Sequence, residues 1–230
     1  MGDVAKVGIV VGLPQEAAIL RQALGDAAPP IFCSGAKTSR VADGVAALLA
    51  GGADVLVSFG FAGGLTPEWS PGDVLVAGMI TGPDGTNYLP NLGLSLLLGS
   101  TLGRYGLNSR PATVLGVESV VASVESKRRL AKGHVAAAVD MESYAMAKAA
   151  SARPFVVVRV IIDPASRAIP PSVLTALDDN GDVRPLALIG SLLRHPSDIM
   201  ALAALARDSH AARRNLSNAA TAIGSAFGLL

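Results

Sequence analysis

Three carboxylates in the sequence follow apolar segments of strand length. Glu16 comes a short turn after the first such segment, Glu142 lies in the stretch VDMESYAM where another segment ends, and Asp163 directly follows FVVVRVII. In open α/β sheets, ligands bind beyond the carboxyl ends of the strands, where loops lead into helices. We therefore expect the three acids to face one edge of a sheet and to converge on one pocket, where carboxyl groups can give or take protons.

Each acid also has a purely structural explanation. Acids in the first turn of a helix are favoured by the helix dipole by about 0.3–1 kcal/mol without any chemical role, and this applies to Glu16 and Glu142. A carboxylate directly after a buried strand must be solvated, paired or functional. For Asp163, the structural alternative is a salt bridge to Arg159 or Arg167.

The segments around these acids alternate between two patterns. Short apolar runs, several rich in β-branched residues, predict buried strands, and apolar residues at helical spacing predict helices. The predicted strands are Val7–Val11, Val55–Phe59, Val74–Ala77, Thr113–Leu115, Val135–Val139 and Phe155–Ile162. The predicted helices are Glu16–Leu24, Arg40–Ala50, Ser123–Ala131, Met141–Ala152 and a long segment from about Pro196. The alternation indicates an α/β fold, with loops or irregular segments at Thr81–Leu107 and Ala168–Leu188.

Composition and charge disfavour several classes of protein. The chain has 230 residues, 50% hydrophobic and 16% charged, and we expect one domain over residues 1–230. The 19 basic and 18 acidic residues form no long basic cluster, which argues against a nucleic-acid partner. Cys33 is the single cysteine and the three histidines are scattered, so neither an internal disulfide nor a zinc site is expected. The N-terminus lacks the pattern of a secretory signal, and no apolar stretch reaches the ~20 residues of a spanning helix. We therefore expect a soluble protein of the reducing cytoplasm.

The stretch SFGFAGGLTP, from Ser58 to Pro67, predicts a strand that runs into a glycine-rich turn. Glycine lets a backbone approach a ligand closely. These glycines lack the spacing of a dinucleotide-binding fingerprint, and GLPQEA after the first strand has no G-x-G-x-x-G pattern. A Rossmann-type oxidoreductase is therefore disfavoured.

Four ordered stretches, VGIVVGLPQE, SFGFAGGLTPEWSPGDV, VDMES and PFVVVRVIID, resemble the nucleoside phosphorylase and nucleosidase superfamily, most closely its methylthioadenosine/S-adenosylhomocysteine nucleosidase branch. The resemblance implies a three-layer single domain with a mixed, largely parallel central sheet flanked by helices. It also implies an enzyme that cleaves the N-glycosidic bond of a purine nucleoside and releases adenine, with no metal and no organic cofactor.

The resemblance assigns a role to each acid. Asp163 would protonate the leaving purine at N7, Glu142 would accept hydrogen bonds from the ribose hydroxyls, and Glu16 would activate water. A proton donor of this kind must stay protonated near neutral pH, which burial can achieve by disfavouring the charged form. The implied substrate-binding residues are Phe61, Ala62, Gly63, Asp140, Met141 and Ile162.

The segment RHPSDIMALAALARDS, together with FGFAGGL and DMES, most resembles the hopanoid-associated phosphorylase subfamily, which implies adenosylhopane as the substrate. Phe61 and Ile162 stand where polar residues are common in the family, so the pocket is expected to be more apolar. Trp69 and the segment Leu89–Gly99 would help to line a channel for an apolar group at C5′. The alternative for that segment is a core or subunit-interface helix. The resemblance also implies a homodimer, and a lipid-linked substrate would bring contact with a membrane surface.

Two nucleophiles remain open. Phosphorylases of the superfamily place an arginine in the turn after the first strand, whereas this turn carries Glu16, which would activate water and repel a phosphate dianion. Lys37 and Arg40, in SGAKTSR, could instead hold phosphate as a co-substrate, or be solvated surface charges. Hydrolysis is the favoured reaction and phosphorolysis the alternative. A nucleoside-binding domain without catalysis and a pyrimidine-directed phosphorylase are the other rivals.

Overall fold

The computed structural model describes residues 5–175 and 198–227, which form an eight-stranded sheet with helices on both faces. The strands are β1 (Val7–Val11), β2 (Ile31–Cys33), β3 (Val55–Gly64), β4 (Val74–Thr81), β5 (Asn87–Tyr88), β6 (Ser109–Gly116), β7 (Ala138–Asp140) and β8 (Phe155–Asp163). The helices are α1 (Pro14–Leu24), α2 (Val41–Ala50), α3 (Leu92–Arg104), α4 (Val124–His134), α5 (Ser143–Ala150), α6 (Pro171–Leu174) and α7 (Asp198–Phe227). Strands and helices alternate along much of the chain, as the apolar pattern predicts.

Most of the strand pairs are parallel, and the antiparallel pairs close part of the sheet into a ring. β1 pairs in parallel with β2 and β3, and β3 pairs in parallel with β8. β8 pairs antiparallel with β4, which continues in parallel through β6 to β7. β7 then returns antiparallel to the end of β3, at Gly63 and Gly64. The predicted mixed, largely parallel sheet is confirmed, and five of its strands surround a common interior.

Two apolar clusters join the helices to the sheet. On one face, α1, α3 and α7 pack through side chains such as Leu20, Leu102 and Ile223. On the other face, α2 and α5 pack through side chains such as Val45 and Met146. Successive residues of the central strands enter opposite clusters, as the two-residue period of a strand requires. The three-layer arrangement is therefore confirmed.

The segment Thr81–Leu107 is not the irregular loop that its composition predicts, because it contains β5 and α3. Asn91 caps α3 by accepting a hydrogen bond from the backbone N–H of Leu94 at 3.0 Å. Leu98 and Leu102 lie one turn apart and are buried in the core. Three glycines within the helix lower its intrinsic propensity and mask this apolar spacing in the sequence. Tertiary packing outweighs the weak local preference.

Several strands differ from the prediction, and among them β4 continues to Thr81 and β6 covers Ser109–Gly116. β3 reaches Gly64 rather than ending at Phe59, because the residues predicted to form a glycine-rich turn pair with β8. The strand predicted to begin at Val135 begins later, because Val135 ends α4 in a left-handed conformation (φ 50°). β2 was not predicted, since it is three residues long and only half-buried.

Part of the predicted C-terminal organisation lies outside the described residues. Of Ala168–Leu188, predicted to be irregular, residues 168–175 are described and include the short helix α6. The predicted start of the last helix, Pro196, also lies outside them, and α7 is described from Asp198. None of the described helices is long and apolar enough to cross a membrane.

Candidate active site

A cavity of about 300 Å³ lies where β1, β3, β7 and β8 end. This volume is at the lower end of the range for small-molecule sites. All the predicted catalytic and substrate-binding residues line it: Glu16, Phe61, Ala62, Gly63, Asp140, Met141, Glu142, Ile162 and Asp163. The three acids therefore share one pocket, while the roles predicted for them stay predictions.

A bulge in β8 helps to bring Asp163 to this pocket. Ala62 of β3 pairs with Ile161, and the next residue, Gly63, pairs with Asp163, so that Ile162 is the extra residue on β8. A bulge bends its strand and re-aims the side chains beside it. Both Ile162 and Asp163 consequently line the cavity, although successive residues of a regular strand point to opposite faces.

Glu16, in the first turn of α1, is buried and held by backbone donors. Its Oε2 accepts hydrogen bonds from the N–H groups of Gly12 (2.9 Å) and Leu13 (2.8 Å), and Oε1 accepts one from Phe61 (2.7 Å). Burial raises the pKa of Glu16, while the charge of Arg159 and the three backbone hydrogen bonds oppose that rise. Each carboxylate oxygen has two lone pairs, so Glu16 can still accept a proton or a hydrogen bond from a bound molecule.

Glu142 lies between β7 and α5 and is also buried. Its Oε1 is 3.5 Å from the hydroxyl of Ser34, and its Oε2 is 3.9 Å from Nη2 of Arg159. Burial raises the pKa of Glu142 to about 8; Arg159 opposes this rise, and the neighbouring Asp140 and Glu16 add to it. At neutral pH, the protonated form of this carboxyl is therefore the more populated one.

Arg159 is a fully buried cation in the middle of β8. Its Nε donates to Oδ2 of Asp140 at 2.5 Å, and its Nη2 donates to the hydroxyls of Ser58 (2.6 Å) and Ser143 (3.1 Å). Oδ1 of Asp140 also accepts from the backbone N–H of Ser143 at 3.2 Å. Both oxygens of Asp140 are thus occupied by protein donors, and its predicted contact with substrate stays a prediction. Nη1 of Arg159 is buried without a hydrogen-bond partner among the described residues.

Asp163 is paired with Lys127, a partner that sequence reasoning missed. The proposed salt bridges to Arg159 and Arg167 are not formed, because Arg159 pairs with Asp140 and Arg167 pairs with Asp208. Lys127 lies on α4, and its Nζ donates to Oδ2 of Asp163. The helical spacing that places Lys127 on the same face as Val124, Leu130 and Ala131 is the signal that could have revealed its burial.

Two glycines make room for the acids. A Cβ at Gly12 would lie 2.5 Å from Oε1 of Glu142, and a Cβ at Gly60 would overlap the carboxylate of Glu16. Neither glycine has a positive φ, so the requirement is for space rather than for a special backbone conformation. These glycines admit the protein's own carboxyl groups.

Much of the rest of the cavity wall is apolar and comes largely from residues that the sequence did not single out, while Gln15, Ser119, Ser209 and Arg213 are its polar members. Val117, Val120 and Val121 line it before α4, and Ile169, Val173 and Leu205 line it from the C-terminal part of the chain. The apolar character expected of the pocket is therefore present, but its source differs from the prediction. Trp69 is buried elsewhere beneath the guanidinium of Arg110, 4.1 Å from the ring centre, and Leu89–Gly99 is not part of the wall.

Lys37 and Arg40, predicted as possible phosphate ligands, are exposed and do not line the described cavity. Nη1 of Arg40 donates to the backbone oxygen of Ser34 at 3.0 Å, and the guanidinium lies 5.8 Å from the ring centre of Phe32. This placement favours the alternative that both are surface charges.

The chain also matches a known family of proteins by sequence. Residues 31–187 match the family described as the phosphorylase superfamily. The chain belongs to this superfamily. No match was found among curated proteins.

Solved structures of similar fold include two kinds of hydrolase. The 5′-methylthioadenosine/S-adenosyl homocysteine nucleosidase of Helicobacter pylori has a TM-score of 0.72 at 16% identity, with 100% of both chains covered. Its Campylobacter jejuni counterpart has a TM-score of 0.67 at 18% identity, covering 81% of this chain and 95% of that one. Futalosine hydrolase of H. pylori has a TM-score of 0.67 at 17% identity, covering 94% of this chain and 97% of that one. At these identities, the likeness establishes the fold alone.

Gly60→Ala should lower the free energy of unfolding by about 1–3 kcal/mol, because the new methyl group would displace a carboxylate held by three backbone donors. The matched control is Gly103→Ala at an exposed position of α3, where a Cβ would meet nothing within 4 Å. That change should instead stabilise the protein by about 0.5–1 kcal/mol. Urea denaturation measures both, and equal effects of the two substitutions would contradict the packing of Glu16 against Gly60.

Glu142→Gln should make stability less dependent on pH between 4.5, the ordinary pKa of this carboxyl, and about 8, its raised value. The native state keeps the proton in this window and the unfolded chain releases it, so the native protein loses stability as pH rises through the window. Glutamine cannot release a proton and removes that contribution. Denaturation at pH 5, 6.5 and 8 gives the comparison, and parallel curves for the two proteins would disprove the raised pKa.

Proposed function

We propose that the protein is a purine nucleosidase, which hydrolyses the N-glycosidic bond of an adenine nucleoside with an apolar group at C5′ and releases adenine. The observation that carries this proposal is the single cavity in which three buried carboxyl groups, Glu16, Glu142 and Asp163, stand beside an apolar wall. Membership of the phosphorylase superfamily supports it.

Asp163 is placed to act on the leaving base. When the C1′–N9 bond breaks, its electron pair goes to the purine, which departs readily only if it takes up a proton, and we assign that proton to N7. Burial raises the pKa of Asp163, and this favours a carboxyl group that holds a proton for transfer. The position of Asp163 at the end of β8, next to Gly63 and Ile162, exposes it to the cavity.

We assign Glu142 and Met141, both in the cavity wall, to binding of the sugar. In its ionised form, Glu142 would accept hydrogen bonds from two ribose hydroxyls and stabilise the positive charge that develops at C1′. Because the pKa of this carboxyl is about 8 in the free protein, the hydroxyl donors of the substrate must favour its ionisation. Binding of the sugar and ionisation of Glu142 are therefore coupled, and hydroxyl-deficient analogues would lose both effects together.

Glu16 is the candidate for activating water. Burial raises the pKa of Glu16 and so makes it a stronger proton acceptor, while the charge of Arg159 and three backbone N–H donors favour its carboxylate form. Water attacks C1′ as the base leaves, and the proton that the water loses goes to Glu16. A new C1′–O bond replaces the C1′–N9 bond, and the products are adenine and the free sugar.

The charges around the cavity disfavour phosphate as the nucleophile. Of the described residues that line it, Glu16, Asp140, Glu142 and Asp163 are acidic, whereas Arg213 is basic. The buried cations Arg159 and Lys127 are already paired with carboxylates. Among the described lining residues, Arg213 is thus the one cation available to a phosphate dianion, whereas water needs no such partner.

The apolar wall supports an apolar substituent at C5′. Val117, Val120, Val121, Ile169, Val173 and Leu205 offer no polar partner for a charged group. Adenosylhopane, the substrate implied by the resemblance of the C-terminal segment, has this character. The homodimer, the cytoplasmic location, contact with a membrane surface and the absence of a cofactor stay predictions.

Asp163→Asn should reduce adenine release about 10²–10⁴-fold, because asparagine cannot give a proton to the leaving base. A riboside whose 4-nitrophenolate group departs without protonation should lose far less. Adenine is followed by its absorbance change, and the nitrophenyl substrate is the internal control for folding and sugar binding. Equal losses with both substrates would contradict the assignment of Asp163 as the proton donor to the leaving base.

Turnover should be independent of phosphate and should favour an apolar 5′ group. Adenosine, methylthioadenosine and a 5′-alkyl adenosine are compared at equal concentrations, each with and without phosphate. The 5′-alkyl compound should have the highest kcat/KM, because its chain would bury apolar surface against the wall. A requirement for phosphate, with sugar 1-phosphate as product, would convert the assignment to phosphorolysis.

A further inference from the structure

Lys127, the buried lysine of α4, makes three contacts. They pair its positive charge and use all three N–H donors of its ammonium group. Nζ of Lys127 donates to Oδ2 of Asp163, to the backbone oxygen of Pro164 at 2.8 Å and to that of Arg167 at 3.0 Å. An ammonium group has three N–H donors and no acceptor. Lys127 is therefore fully satisfied in its charged form, although its side chain is buried completely.

The same contacts fix the orientation of the Asp163 carboxyl. Oδ2 is bound to the ammonium, which is itself anchored to the chain immediately after β8. Among the hydrogen bonds of the described residues, none reaches Oδ1. Oδ1 lies 3.3 Å from where a Cβ of Gly63 would stand, and Gly63 is a residue of the cavity wall. The carboxyl thus has one oxygen tethered and the other available.

We propose that Lys127 is a positioning residue for Asp163, which binds one carboxyl oxygen and so keeps the other directed at the cavity, where the proton is passed to the departing base. This inference rests on the proposed function, since it concerns how the proposed acid is held. Without the ammonium, the carboxyl would be free to turn, and proton transfer requires donor and acceptor within hydrogen-bond reach.

The charge of Lys127 has a second consequence, for the pH at which Asp163 loses its proton. Burial raises the pKa of Asp163, whereas Lys127 lowers it, with a smaller lowering from Arg167. Arg167 is itself paired with Asp208 of α7, so Lys127 supplies the direct contact. Without the ammonium, less would oppose the effect of burial on the pKa of Asp163, so this pKa would rise further. The alkaline limb of the rate profile would then move to higher pH while the maximal rate falls.

The test replaces Lys127 with methionine and uses Lys132→Met, the same change at an exposed position of the same helix, as the control. Lys127→Met should lower kcat for adenine release about 10-fold or more and move the alkaline limb upward. Lys132→Met should match the wild type in both respects. In Lys127→Gln, the amide can still donate to Oδ2, so part of kcat should be recovered. The alkaline limb of the rate profile should stay at higher pH, because glutamine restores the contact without the charge.

Two further readouts separate a positioning role from a merely structural one. The nitrophenyl riboside, which needs no proton, should be turned over by Lys127→Met at nearly the wild-type rate. In an Asp163→Asn background, Lys127→Met should cause no additional loss of adenine release, because the two residues act as one unit. Equal losses with both substrates, or additive losses in the double variant, would overturn the proposal.

A titration independent of activity distinguishes failure of this inference from failure of the proposed function. The carboxyl carbon of Asp163, followed by NMR, should titrate at higher pH in Lys127→Met and Lys127→Gln than in the wild type and in Lys132→Met. Absence of adenine release by the wild type would reject the nucleosidase assignment and, with it, the proton transfer to a base. An unchanged titration would reject the control of Asp163 by Lys127, whatever the enzyme turns over.

Discussion

A single buried guanidinium holds together the acids at the ends of the strands. Arg159 projects from the centre of β8 and binds Asp140 and the two serine hydroxyls of Ser58 and Ser143, while its charge also acts on Glu16 and Glu142. Burial raises the pKa of both Glu16 and Glu142, that of Glu142 to about 8, and the charge of Arg159 opposes both rises. Loss of one partner of such an ion pair typically destabilises a protein by about 3–5 kcal/mol. The cavity therefore depends on a cation that does not itself line it.

The strand that carries this cation also carries the separate centre around Asp163. In a regular strand, alternate residues face the same side, and Arg159, Ile161 and Asp163 would do so. The bulge at Ile162 breaks this rule within the strand, and the pairing of Gly63 with Asp163 re-establishes the ladder one residue later. One strand thus supports two ionic groups with different partners, one on β7 and the other on α4. Because both are built on a central strand with neighbours on each side, their spacing is fixed by the sheet rather than by loops.

The sequence predicted those features that depend on a periodic pattern. Alternating apolar runs located most of the strands and helices, and the position of an acid after each run placed Glu16, Glu142 and Asp163 at one edge. The glycines of α3 weaken its helical pattern, so Thr81–Leu107 was predicted to be irregular. A core or subunit-interface helix was the alternative for Leu89–Gly99, and the burial of Leu98 in the core agrees with a core helix. The bulge has no local signature, since it follows from the register between two strands that are distant in sequence.

Long-range ion pairs were the other features that the sequence could not reveal. Lys127 stands in a run of three basic residues, Lys127-Arg128-Arg129, that suggests a solvated face. Its helical spacing with Val124 and Ala131 could indicate burial, but nothing local identifies Asp163 as its partner. The glycines of SFGFAGG were expected to admit a ligand, whereas Gly60 admits the carboxylate of Glu16. In both cases the residue type was noticed but its partner, more than 30 positions away, was not.

The arrangement of these groups matches the charge separation of the proposed reaction. Breaking a glycosidic bond to nitrogen leaves positive charge on the sugar and negative charge on the base. One side of the cavity has Glu16 and Glu142, whose nearest cation, Arg159, donates hydrogen bonds to Asp140 and to the hydroxyls of Ser58 and Ser143. The other side has Asp163, which is bound to the ammonium of Lys127. Fixed charges that already lie where the transition state needs them require no reorganisation when it forms. They are also weakly screened, because valine and isoleucine side chains line the site. A neutral nucleophile preserves this polarity, whereas a dianion entering beside Glu16 and Glu142 would oppose it. The same electrostatic order therefore supports both parts of the proposal together, a proton donor at the base and water as the attacking group.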